Sequence, residues 1–131
     1  MFQLGPRSKM RLQGVHPDLI KVVERAIQIS TVDFTVLEGV RTPERQRVLV
    51  DSGASQTLNS RHIPGKDGLG KAVDLGAWVD DQVDWSWPLY AKLAAAMKEA
   101  AKQVGVPIEW GGDWVRFRDG PHFQLPFKDY P

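Results

Sequence analysis

Apolar residues return at helical spacing between Asp18 and Ser30, where Leu19, Val22, Val23, Ala26 and Ile27 fall on one stripe. The pattern predicts an amphipathic helix with Pro17 in its first turn. Phe34 to Val40 reads as a strand, and Arg41 lies where it ends. Thr42 then offers an N-cap oxygen with Pro43 behind it, so a second helix is expected through about Val50, stopped by Gly53. Ala54 to Arg61 reads as a loop. In Lys71 to Ala77 the period is two, with Val73 and Leu75 on one side of a strand and Ala72 and Asp74 on the other. After a turn at Asp80-Asp81-Gln82, Ser86 and Pro88 open the longest helix, whose Leu89, Leu93, Met97, Ala101 and Val104 are expected to face the core. Gly105 suits the left-handed residue that ends such a helix. Ile108 to Trp110 is another short strand. Pro121 to Leu125 alternates again, Phe123 and Leu125 toward the core and His122 and Gln124 away from it. Helices and short strands without a regular βαβ alternation predict an α+β fold, a small antiparallel sheet with about three helices packed on it and the other sheet face open.

Composition narrows the chemistry. At 131 residues, 42% hydrophobic and 25% charged, the chain fits one globular domain over 1–131, and no repeat, linker or low-complexity run divides it. With no cysteine there are no disulfides, no thiolate nucleophile and no cysteine zinc site, so any metal must be held by histidine and carboxylate. A formal net charge of +1 gives no reason to expect nucleic acid. Arg7, Lys9 and Arg11 form a small basic patch that either touches anionic surfaces or is merely solvated. No apolar run approaches the roughly 18 residues of a membrane span, and the amino terminus lacks a signal-peptide core, so synthesis in the cytoplasm without membrane insertion is expected.

Three short segments supply the candidate chemistry: Ser60-Arg61-His62, Gly70 to Asp74, and Asp119-Gly120-Pro121-His122. Together they offer two imidazoles and two carboxylates. Three such side chains can hold a zinc ion with one position open, and the remaining carboxylate is then available as a base. Adjacent strands would put Asp74 and His122 on one surface. Asp119, three residues before His122, would face away in a regular strand but can converge across the Gly120-Pro121 turn. Any one of these residues alone is more commonly a solvated or paired side chain. Their combination carries the argument, since the chain has only three histidines. The third, His16, precedes a helix and reads as structural or exposed.

The motifs Ser60-x-His62, Gly70-x-Ala72-x-Asp74 and Asp119-x-x-His122 resemble the zinc peptidases that include D-alanyl-D-alanine carboxypeptidases, vancomycin-resistance dipeptidases and phage L-alanyl-D-glutamate endopeptidases. Gly14 to Leu19, Asp33 to Thr42 and Glu109 to Trp114 extend the resemblance over nearly the whole chain, closest to the phage endolysin branch. The resemblance implies His62, Asp74 and His122 as zinc ligands, Asp119 as general base and Arg41 as a cation near the scissile carbonyl. It implies a monomeric endolysin that cuts an amide of the peptidoglycan stem peptide, with L-Ala–D-Glu the expected bond, without a separate wall-binding domain, and causes host lysis once a holin-like protein has opened the inner membrane. A D-Ala–D-Ala carboxypeptidase and a non-catalytic, zinc-stabilised wall-binding module are the alternatives. One departure is the segment Ile63 to Leu69, longer than is common between the first histidine and the aspartate, which reads as a longer loop and contains Asp67 as a competing ligand. Arg41 has a rival role in a salt bridge to Glu38 or Glu44. Ser60 and Gln46 suit substrate hydrogen bonding and loop capping equally. Gly111 to Trp114 reads either as a cleft wall or as a hairpin turn, the role of Asp113 stays open, and the five tryptophans read as core and rim packing.

Overall fold

The computed structural model describes residues 1–55 and 60–131; the middle of the expected Ala54 to Arg61 loop, 56–59, lies outside the described residues. In chain order the elements are helix α1 (Pro6–Arg11), helix α2 (Pro17–Ile29), strand β1 (Phe34–Glu38), helix α3 (Pro43–Asp51), strands β2 (Ala72–Val79) and β3 (Gln82–Asp84), helix α4 (Trp87–Val104), and strands β4 (Glu109–Trp110) and β5 (His122–Gln124). A single 3₁₀ turn, Gly111–Asp113, follows β4. The α+β expectation holds, with an antiparallel sheet in the order β1-β2-β5-β4 and β3 continuing the β5 side of β2.

The two longest helices bury the apolar face of this sheet. Leu19, Val22, Val23, Ala26 and Ile27 of α2 are all buried, and Leu93, Met97, Ala100 and Ala101 of α4 share one core with Val73, Leu75 and Phe123 from the strands and Leu125 just past β5. Removing side chains of this size from water contributes roughly 1.5–3 kcal/mol each. Val104 departs from expectation and is 37% exposed. It lies in the last turn of α4, where Gly105 takes a φ of 74° and the chain folds back so that Val106 is buried instead. Leu89 is partly buried against the core.

Two features were not anticipated. Strand β3 is one: the turn expected at Asp80-Asp81-Gln82 is present, but it closes a β2–β3 hairpin through Asp80 and Asp81, whose φ angles of 52° and 62° match a two-residue turn. Helix α1, short and without an apolar stripe, covers the outer edge of β1. There the Ser8 hydroxyl accepts the Val36 N–H at 2.9 Å and Arg11 donates to the Val36 carbonyl at 2.9 Å.

The sheet's second face carries the polar groups. Asp74 of β2 lies directly opposite His122 of β5 and, on its other side, opposite Glu38 of β1. The register of β1 shifts between Val36 and Glu38, an extra residue that brings Glu38 onto the face of Asp74 instead of leaving it in phase with the buried Val36.

Candidate active site

Strand β1 ends at Glu38, two residues earlier than the apolar pattern predicts, and the backbone beyond it is used by the site. The Gly39 carbonyl receives His62 Nδ1 at 2.8 Å. A side chain on Gly39 would collide with the Arg11 carbonyl, so only glycine lets the chain pass there. Ser60 presents His62 from the other side, its hydroxyl accepting the His62 N–H at 3.1 Å, and His62 is buried. His122 is fixed within β5, where Nε2 lies 2.8 Å from Gln124 Oε1.

Those outer partners decide which ring nitrogens face inward. A carbonyl can only accept, so His62 Nδ1 carries the proton and Nε2 presents a lone pair. The Gln124 oxygen likewise leaves His122 Nδ1 as the inward atom. Both converge on Asp74 Oδ1, at 3.2 Å and 3.3 Å. Two imidazole lone pairs and a carboxylate oxygen aimed at one point repel unless a cation lies between them. His62, Asp74 and His122 offer three ligand atoms within 4.8 Å of one another, a donor set that fits a dication with a fourth position open. Without a metal, protonation of His122 is favoured instead. Burial opposes ionisation of Asp74, but the hydrogen bonds and positive charge of His122 and His62 prevail and hold its carboxyl well below the usual range. For His122, burial works against the charged form, yet Asp74 raises its pKa above the ordinary histidine value.

Asp119 lines the same cleft, about 720 Å³ in volume, together with Arg41, His62, Asp74, His122 and Trp114. The Gly120-Pro121 turn brings it there, as its backbone accepts from the His122 N–H at 3.3 Å. Burial and the negative charge of Asp74 push the Asp119 carboxyl up, partly offset by His122, His62 and Arg41. Gly111 explains how the loop reaches this position. Its carbonyl accepts the Asp119 N–H at 3.0 Å, and a Cβ on Gly111 would strike the Asp119 carbonyl oxygen and come 3.0 Å from the Asp119 Cβ. Gly111 to Trp114 is thus a tight turn that also shapes the cleft, with the Trp114 ring 5.2 Å from that of His122. A shift of about 1 Å can cost up to roughly a hundredfold in rate. Gly111→Ala is therefore expected to lower turnover at least tenfold while metal content stays that of the wild type; metal analysis beside initial rates tests this, and an unchanged rate would show that the loop absorbs the methyl group.

Arg41 is only 9% exposed and grips Glu38 bidentately, Nε and Nη2 each 2.7 Å from a carboxylate oxygen, while Nη1 donates to Gln46 Oε1 at 2.6 Å. Glu38, not Glu44, is the carboxylate it pairs with in this way. The guanidinium also lies 3.6 Å from Asp74 Oδ2. Burial works against its charge, but Glu38, Asp74 and Asp119 raise its pKa, so Arg41 stays cationic. Gln46 is fully buried behind Arg41 and donates to Ser55 at 2.7 Å, a positioning role.

The remaining candidates lie apart. Asp67 pairs with Lys71 at 2.7 Å and with the Leu69 N–H, closing the Ile63 to Leu69 segment into a compact loop outside the histidine cluster. His16 accepts the Asp18 N–H at 3.0 Å as the N-cap of α2, a structural residue. Asp113 pairs with Lys98 on the surface at 2.7 Å. Trp78, Trp85 and Trp87 are exposed, and Trp85 lines the cleft. Gln124 was legible only as a neighbour of His122 on the same strand face, and neither Phe127 nor the backbone of Gly39 had a sequence signal.

The sequence profile of the phage L-alanyl-D-glutamate peptidases matches residues 1–125. The chain belongs to that family. The L-alanyl-D-glutamate peptidase of Escherichia phage T5 is 30% identical over 117 residues, covering 86% of this chain and 82% of that protein. The family member from Listeria phage A118 is 36% identical over 104 residues, 76% of this chain but only 32% of the longer relative. Among solved structures, the Serratia marcescens L-Ala D-Glu endopeptidase ChiX superposes with a TM-score of 0.88 at 48% identity, covering 96% of this chain and 91% of that one. The family match reaches through β5, so Arg41, His62, Asp74, Asp119 and His122 all lie within it, while Phe127 at the cleft wall falls just beyond.

Proposed function

We propose that this chain is a zinc-dependent peptidase that hydrolyses the L-alanyl–D-glutamyl amide of peptidoglycan stem peptides, acting as a single catalytic domain in host cell lysis. The observation that carries this reading is the convergence of His62, Asp74 and His122 at one point, with Asp119 in the same cleft, in a member of the family. Two imidazoles and a carboxylate with an open fourth position are the ligand type of catalytic zinc. When bound, the ion supplies Lewis acidity, polarising the scissile carbonyl and lowering the pKa of water to about 7. Asp119, among the described residues without a hydrogen-bond partner for its carboxylate, takes the proton from the attacking water and delivers it to the departing amine. Arg41 has three of its N–H groups committed to Glu38 and Gln46 and directs its remaining charge toward the oxygen that becomes negative as the carbonyl turns tetrahedral. As a phage-type lysin it would be made in the host cytoplasm and meet the wall after a holin-like protein has opened the inner membrane.

Mass spectrometry of peptidoglycan digested with the purified protein tests the bond. The expected products are peptides that begin with D-glutamate and glycan strands that keep L-alanine. Release of D-alanine would make the enzyme a carboxypeptidase instead, and intact peptidoglycan would leave a binding module.

A further inference from the structure

Arg61 is the cleft's second arginine, and its charge is handled differently from that of Arg41. Its guanidinium lies over the Phe127 ring at 4.0 Å; Nε and Nη2 donate to the Leu125 carbonyl at 3.3 Å and 2.8 Å, and Nη2 to the Tyr130 carbonyl at 2.6 Å. These bonds pin the carboxy-terminal segment, but carbonyl oxygens leave a cation un-neutralised. Among the described residues no carboxylate lies within ion-pair distance of Arg61, and Nη1 has no partner. Burial lowers its pKa, which Glu109 and Asp67 offset from a distance. Both Arg61 and Phe127 line the cleft that holds His62, Asp74 and Asp119. A half-buried guanidinium without a counter-ion, held rigidly at the wall of a substrate cleft, is complementary to an anion on the ligand.

The substrate class named under the proposed function brings such an anion. A glutamyl residue has two carboxyl groups; continuing the peptide uses one and leaves the other free, a few bonds from the scissile nitrogen. We propose that Arg61 binds the free carboxylate of the D-glutamyl residue through Nη1, and so selects stem peptides in which that carboxylate is ionised over those in which it is amidated. This rests on the functional reading above. Arg41 is unsuited to the task, since Glu38 already neutralises it on one side and Asp74 faces it on another.

The test uses two tripeptide substrates, acyl-L-Ala-D-Glu-L-Lys with the D-glutamyl carboxylate free in one and amidated in the other. Loss of one charge-assisted hydrogen bond predicts that wild type prefers the free form by at least about tenfold in kcat/KM. Arg61→Gln should bring the ratio close to one, and Arg61→Lys should keep part of the preference. Because the ratio is taken within each variant, a reduced fraction of folded enzyme cancels. Cleavage by wild type without preference, or a preference that survives Arg61→Gln, overturns this assignment alone. Failure of wild type to cut either peptide overturns the functional reading, and this assignment with it.

Discussion

Asp119→Asn should lower hydrolysis of peptidoglycan by about a hundredfold or more while leaving the metal bound, because general-base catalysis contributes roughly a hundred- to ten-thousand-fold and an amide cannot take the proton of the attacking water. Asparagine nearly preserves the shape of the side chain. The contacts that hold the loop are backbone ones, from Asp119 to Gly111 and from His122 to Asp119, and they survive the change. Melting temperature should therefore move little. Relief of repulsion from Asp74 could even stabilise the variant slightly, since that charge is one cause of the raised Asp119 pKa. Metal content, melting temperature and initial rate measured together separate the roles: a lower melting temperature with nearly wild-type turnover would reduce Asp119 to a turn residue.

His62→Ala or His122→Ala should abolish stoichiometric zinc and with it activity, and a chelator should do the same to the wild type. Each substitution removes one of three ligands and one of the two imidazole contacts that hold Asp74 at the centre of the site. His16→Ala, by contrast, should keep the metal and lose only the α2 cap, about 1 kcal/mol of stability. Equal zinc loss in all three would show that the ligand set is misassigned. Affinity should also depend on pH in a definite direction. His122 ligates only when its inward nitrogen is unprotonated, and its pKa in the metal-free protein is raised, so protons compete with zinc at higher pH than for an ordinary histidine. Affinity then climbs as pH rises through that raised value. Asp74 stays ionised throughout and adds no slope, because its pKa is held low. Zinc titrations across neutral pH measure this, and a flat profile would count against it.

Much of this site was legible in the sequence, for a simple reason. Strand alternation has a period of two, so once Val73 and Leu75 are assigned to the core, Asp74 must face the other way, and Phe123 and Leu125 do the same for His122. Thr42 and Gly105 announced their helix ends by side-chain oxygen and by the absence of a Cβ. What escaped was set by tertiary contact. The bulge before Glu38 has no local signature, since it is imposed by pairing with β2. Gly111 looks like any turn glycine until Asp119 is found packed on it. Arg61 reads as a spacer between Ser60 and His62, because the lack of a counter-ion is a property of the surroundings and not of the residue.

The sheathing of β1 by α1 bears on how the protein can be handled. The outer edge of a sheet is a template for another strand, and two copies meeting there would form the beginning of an aggregate. Ser8 and Arg11 occupy the N–H and C=O of Val36 that such a partner would need, so six residues with little core of their own act as a solubility guard. Trimming the amino terminus past Gly5 would leave most catalytic groups in place and yet expose a sticky seam. Tags and fusion partners are better joined ahead of it.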